Sequence, residues 1–136
     1  MNYLIESIFV GIYTYFIYLI LFRFINNFEI LLLVSGFIKH FLSSSLGLWT
    51  WYCNNGEACI KSNIYNKHNK YKSNTNNRLI DSIYESIAFL IIGSLLSLFI
   101  RNKGFLFFIL GIILHIISEL VGIHKYFCKI NCDKTN

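Results

Sequence analysis

FLFFILGIILHIISELVGIHKYF, residues 105–127, decides the fold. A helix on the surface of a soluble protein is apolar along one stripe and polar elsewhere. This run is apolar almost all round and is interrupted only by His115, Ser118, Glu119 and the polar residues at its end. About 20 such residues cross a hydrocarbon core of roughly 30 Å. Residues 105–127 therefore read as a membrane span.

Three more runs of the same kind lie upstream, at residues 4–25, 30–52 and 79–100. The first two are joined by NNFE and the last two by RNKG, so each pair forms a tight helical hairpin. A strand reading fails because the runs are too long and do not alternate, and a membrane barrel needs at least about eight strands. The composition agrees: 55% of the 136 residues are hydrophobic and 14% are charged, too few charged side chains for a soluble shell. No basic region precedes the first run, so a cleavable signal peptide is not expected.

The expected fold is all-α, a four-span transmembrane helical bundle built from two tandem repeated helical hairpins. Shifted by 75 residues, the chain aligns on itself without a gap, and 17 of the 50 positions from Leu4 to Cys53 are identical. The first hairpin is residues 4–53 and the second is residues 79–128. Gly36/Gly111, His40/His115, Gly47/Gly122 and Cys53/Cys128 all fall in one register. An even number of spans per repeat gives both repeats the same orientation, with a pseudo-twofold axis along the membrane normal. Between the hairpins, residues 54–78 read as an exposed, largely flexible basic loop, and residues 129–136 as a short polar tail.

Orientation follows from charge. The side with the termini and the central loop carries Lys61, Lys67, Lys70, Lys72, Arg78, Lys125, Lys129 and Lys134; the other carries Arg23, Arg101 and Lys103. The positive-inside rule places both termini in the cytoplasm, with Trp49, Trp51, Tyr52, Tyr126 and Phe127 forming an aromatic belt. The lipid bilayer is the first partner, anionic lipid headgroups suit the basic loop, and self-association is a second expectation. The loop's aromatic residues are too sparse for nucleic-acid binding to be expected.

The polar residues inside the spans are the candidate site. His40 and Ser43 share a face with Gly36 and Gly47; His115, with Ser118 or Glu119, shares one with Gly111 and Gly122. These faces pack either against each other or against the first and third spans, as small and polar residues do in membranes. His115 and Glu119 are one turn apart and within reach of a hydrogen bond, and Lys39 has no evident partner. The plain role of His40, Ser43, His115, Ser118 and Glu119 is helix packing. An ion or proton path is a second reading, and axial haem ligation by His40 and His115 a third. A catalytic set, if the chain is an enzyme, would be Glu85, His115, Glu119 and His124.

Four cysteines lie beyond the second and fourth runs, Cys53 and Cys59 in CNNGEAC and Cys128 and Cys132 in CKINC. Each pair would close a local disulfide, remain as free thiols, act as a redox pair, or join the other pair and His124 around zinc. Disulfides conflict with a reducing cytoplasm. No CxxC or CxxCH pattern is present, and no cofactor is expected from the sequence.

The block GFIKH…GLWTWYCNNGEAC at residues 36–59, echoed by GIILH…GIHKYFC at residues 111–128, resembles small uncharacterised multi-pass membrane proteins of large nucleocytoplasmic DNA viruses. The resemblance implies a viral or virus-modified host membrane, supplies no catalytic residues, and allows for virus-supplied thiol oxidation on the cytosolic side. The function expected is structural or assembly-related within a membrane, with a thiol-redox or metal-binding oxidoreductase and a small conductor as alternatives.

Overall fold

A computed structural model describes residues 2–61, 70–71 and 75–133. Four helices carry the bundle: α1 (Tyr3–Leu21), α2 (Phe28–Ser45), α5 (Thr75–Ser97) and α6 (Lys103–Leu120). Each contains a stretch long and apolar enough to cross a membrane, so the architecture is that of a multi-pass membrane protein. An 18-residue helix such as α2 spans about 27 Å at 1.5 Å per residue, close to the hydrocarbon thickness. Between the bundle helices lie α3 (Leu48–Asn55), α4 (Glu57–Lys61) and the two-residue β1 (Lys70–Tyr71). After α6 come α7 (Ile123–Asn131) and β2 (Cys132–Asp133), which pairs antiparallel with β1.

Asparagine starts three of the spans for one reason. Its side chain accepts a backbone N–H of the first turn that has no partner inside the helix. Asn2 caps α1 through Leu4, Asn27 caps α2 through Ile30, and Asn102 caps α6 through Phe105.

The packing crosses between hairpins. α1 lies chiefly on α6 and α2 chiefly on α5. The helices come close because small residues line both seams. A Cβ on Gly111 would sit 2.5 Å from Thr14 Oγ1, and one on Gly36 would sit 2.9 Å from both the Glu85 carbonyl and Ser86 Cα. Ser86 adds a hydrogen bond across the second seam, its hydroxyl donating to the Leu33 carbonyl at 2.6 Å. The small-residue faces thus meet the first and third spans, one of the two packings expected.

At the end near the short turns the bundle is filled by Leu31, Leu32, Phe89, Leu106, Phe107, Leu110 and Leu114. Its outer surface, including Phe9, Phe16, Ile20, Ile91 and Leu95, is apolar and suits lipid. At the opposite end a second cluster forms a cap from Tyr52, Cys53, Ala58, Cys59, Phe127, Cys128 and Cys132, with Trp49 packed against it.

Several expected boundaries shift. The second and fourth spans do not run on to residues 52 and 127; α2 stops at Ser45 and α6 at Leu120. Gly47 and Gly122 take φ of 75° and 83°, left-handed backbone that terminates a helix and redirects the chain. Hydropathy continues through both glycines, so it conceals the turns. The first span ends at Leu21 rather than residue 25; the third begins at Arg78, next to the expected residue 79, within a helix that starts at Thr75, and ends at Ser97 rather than residue 100. The basic loop contains α4, and the polar tail begins inside α7. Lys67, Lys72 and Lys134 lie outside the described residues. The aromatic belt is also corrected: Tyr52 and Phe127 are buried in the cap, whereas Trp51 and Tyr126 are exposed.

Candidate functional site: a polar chamber beneath the cap

Between the apolar half of the bundle and the cap lies a cavity of about 340 Å³. Its walls come from every bundle helix and from the cap helices α3 and α7. The elbow at Gly47 lets α3 bring Trp49 and Tyr52 over the opening, and the elbow at Gly122 does the same for His124 on α7.

The charged groups in the walls are paired. Lys39 forms an ion pair with Glu85 across the α2–α5 seam, so the lysine without an evident sequence partner has one. Its ammonium also sits 5.3 Å from the centre of the Phe89 ring. His40 Nδ1 lies 3.8 Å from the other Glu85 oxygen. On the opposite wall, Glu6 is only 4% exposed. One of its oxygens accepts the Glu57 backbone N–H at 2.8 Å, tying α1 to the first residue of α4. The other lies 3.3 Å from His115 Nε2.

His115 therefore faces Glu6 rather than Glu119, which corrects the expected one-turn bond. Glu119 instead meets His124 Nδ1 at 2.9 Å. The His115 and His124 rings lie 4.4 Å apart, completing a row Glu6–His115–His124–Glu119. Burial first, and then the neighbouring His115, lowers the His124 pKa from 6.5 to about 3. The ring is neutral at pH 7. Donation from Nδ1 to Glu119 leaves Nε2 as an acceptor.

Tyr52 differs from these groups. It is 8% exposed and its hydroxyl has no hydrogen-bond partner among the described residues. Its ring is held by His124 at 5.5 Å and Phe127 at 6.0 Å. Burial raises the phenol pKa, and the carboxylates of Glu6, Glu119 and Glu57 raise it further. The hydroxyl keeps its proton, so the chamber wall holds a permanent donor.

Sequence reasoning named His40, Ser43, Glu85, His115, Ser118 and His124, and all six line this chamber. Glu119 joins it through His124. Glu6, Lys39, Trp49 and Tyr52 were missed as members of a site. A glutamate one turn into an apolar span was the available signal for Glu6. His40 and His115 each face a carboxylate of their own, so this geometry lends no support to a shared haem.

The cysteines join the two halves of the chain. Cys53 is bonded to Cys132 and Cys59 to Cys128, so the bonds are not the local ones within each pair. Cys59 and Cys132 bring the two disulfides together, with sulfurs 3.9 Å apart. His124 is not among the grouped sulfur ligands; it turns toward Glu119 and Tyr52. The cap touches the chamber directly, because Tyr52 lines the chamber and precedes Cys53. No family model, curated protein or solved structure matches the chain.

Proposed function

We propose that this membrane protein binds a small uncharged molecule in the chamber, one with a carbonyl-type acceptor on a flat apolar body. The buried Tyr52 hydroxyl carries this reading. A buried donor without an acceptor costs on the order of 1–3 kcal/mol. The hydroxyl takes no acceptor from the described residues and lines the cavity, so a molecule in the chamber can supply one. The aromatic faces of Trp49 and Tyr52 suit a flat body. The carboxylates of Glu6 and Glu85 disfavour an anion, and Lys39 disfavours a cation.

Two other readings receive less support. A conductor needs a polar track across the bilayer, whereas the core of Leu32, Phe89, Phe107 and Leu110 closes the chamber toward the short turns. A structural or assembly role accounts for the ion pairs but not for the cavity or for Tyr52. The orientation with both termini in the cytoplasm rests on the lysine asymmetry. The tandem repeat is supported by matched left-handed glycines at Gly47 and Gly122 and by matched Asn27 and Asn102 caps. The viral-membrane setting rests on the resemblance of residues 36–59 and 111–128.

The test uses protein in nanodiscs and two probes of nearly equal shape, 4-octylacetophenone and 4-octylethylbenzene. Tryptophan quenching reports binding of the ketone, because Trp49 lines the chamber, and the non-quenching hydrocarbon is measured by its displacement of the ketone. The ketone is expected to bind at least about tenfold more tightly than the hydrocarbon, and Tyr52→Phe to abolish that preference. Tyr52→Phe is also expected to leave thermal stability equal or higher. Equal affinity for the two probes, or a Tyr52→Phe variant that loses stability and keeps the preference, refutes the proposal in favour of a packing role.

A further inference from the structure

We propose that the cap is a metal site in its reduced state, with the thiolates of Cys53, Cys59, Cys128 and Cys132 binding one zinc ion. The proposal is independent of what the chamber binds. The sulfurs of Cys59, Cys128 and Cys132 lie within 4.8 Å of one another. Tetrahedral zinc with bonds of about 2.3 Å places its ligand sulfurs about 3.8 Å apart. The non-bonded Cys59–Cys132 separation is 3.9 Å, so one edge of that tetrahedron is already in place. Cys53 is attached to the same cluster through Cys132. Cys53 lies outside that group of three, and the proposal requires its sulfur to turn about the Cα–Cβ bond to the fourth position once its bond to Cys132 is broken.

The surroundings suit soft-metal chemistry. All four cysteines are buried, none more than 6% exposed. Tyr52, Ala58 and Phe127 wall the cluster with mostly apolar surface, which keeps water from the thiolates. The ligands come from α3, α4, α7 and β2, so a metal would hold together the same segments that the disulfides hold. His124 is occupied with Glu119, which favours four sulfurs over three sulfurs and an imidazole.

The two states interconvert by a balanced reaction. A water-soluble phosphine gives two electrons to each disulfide and becomes its oxide with an oxygen from water, leaving two thiols. Zinc then displaces the four thiol protons. Two equivalents of a peroxide oxidant restore the two disulfides: each takes two electrons from a pair of thiolates and, with two protons, is reduced to two waters, and the zinc ion is released. The cap would thus stay closed both in a reducing cytosol containing zinc and in an oxidising compartment.

The test reduces the full-length protein in detergent with the phosphine, removes metal, and titrates cobalt(II) and then zinc. One cobalt per chain is expected, with the strong visible bands and thiolate charge-transfer absorption of a tetrahedral sulfur site. Zinc should displace the cobalt and slow maleimide labelling of all four thiols at least about hundredfold. The double variant C53A/C132A should lower zinc affinity at least about hundredfold. Helix content measured in parallel keeps each outcome decisive. A reduced chain that stays helical but takes up no metal overturns the proposal. So does a reduced chain that unfolds and is not restored by zinc. So does a double variant that binds zinc as tightly as the parent.

Discussion

Replacing Lys39 with methionine should cost more than any loss of packing, because it leaves Glu85 without its ammonium. The pair lies well inside the span: Lys39 is 11 residues beyond Phe28, the first residue of α2, about 16 Å along the helix axis. Two unit charges about 3 Å apart attract by about 5 kcal/mol at an effective dielectric of 20. Desolvation offsets much of that while both charges are present. The asymmetry appears when one charge is removed. Among the described residues Glu85 then keeps only His40, whose Nδ1 is 3.8 Å away. Breaking a buried pair from one side costs on the order of 3–5 kcal/mol. Lys39→Met and Glu85→Gln should therefore each destabilise by about that much, and the double variant by much less than their sum. Unfolding in mixed micelles titrated with dodecyl sulfate, followed by tryptophan fluorescence, measures all three. A single variant that changes stability by less than about 1 kcal/mol, or two losses that simply add, would show that the contact carries no coupling.

The glycines separate two kinds of strain. Gly111→Ala drives a methyl group into Thr14 and should cost about 1–3 kcal/mol by parting α1 from α6. Gly47→Ala meets nothing within 4 Å among the described residues, but its left-handed backbone should cost about 1–2 kcal/mol. Amide exchange should show opening along the spans in the first variant and in the cap alone in the second. The chamber should also respond to acid. The folded His124 pKa of about 3 lies below the ordinary 6.5, so the unfolded chain takes up a proton that the folded chain refuses. Stability is unaffected well above pH 6.5 and falls as the pH drops from there toward 3, by at most about 2 kcal/mol between pH 6.5 and 5. His124→Gln should flatten that part of a stability–pH curve, and an unchanged slope in the variant would assign the loss to other groups.

The spans were legible because about 20 consecutive apolar residues have few other solutions. Helix ends were less so. Leu46, Leu48, Val121 and Ile123 continue the apolar pattern across Gly47 and Gly122, and only the backbone conformation of those glycines reveals the turns. The inward residues of α2 and α6 were found from helical spacing, which is local. Their partners were not, because Lys39 with Glu85 and Glu6 with His115 join helices distant in sequence. Bundle order decides such pairs, and hydropathy does not encode it. The same limit applied to sulfur: four cysteines allow three pairings, and proximity along the chain favoured the wrong one.

The disulfide between Cys53 and Cys132 has a mechanical consequence. A pull on the two ends of the chain passes through that bond and bypasses everything between them. Only about 58 of the 136 residues lie on the loaded path, and at about 3.5 Å per residue they extend to roughly 200 Å instead of roughly 480 Å. Helices α5 and α6 and most of the cap therefore bear no direct tension. With the bond intact, force applied at the termini strips away α1 and α2 and leaves the second hairpin as a closed loop in the membrane.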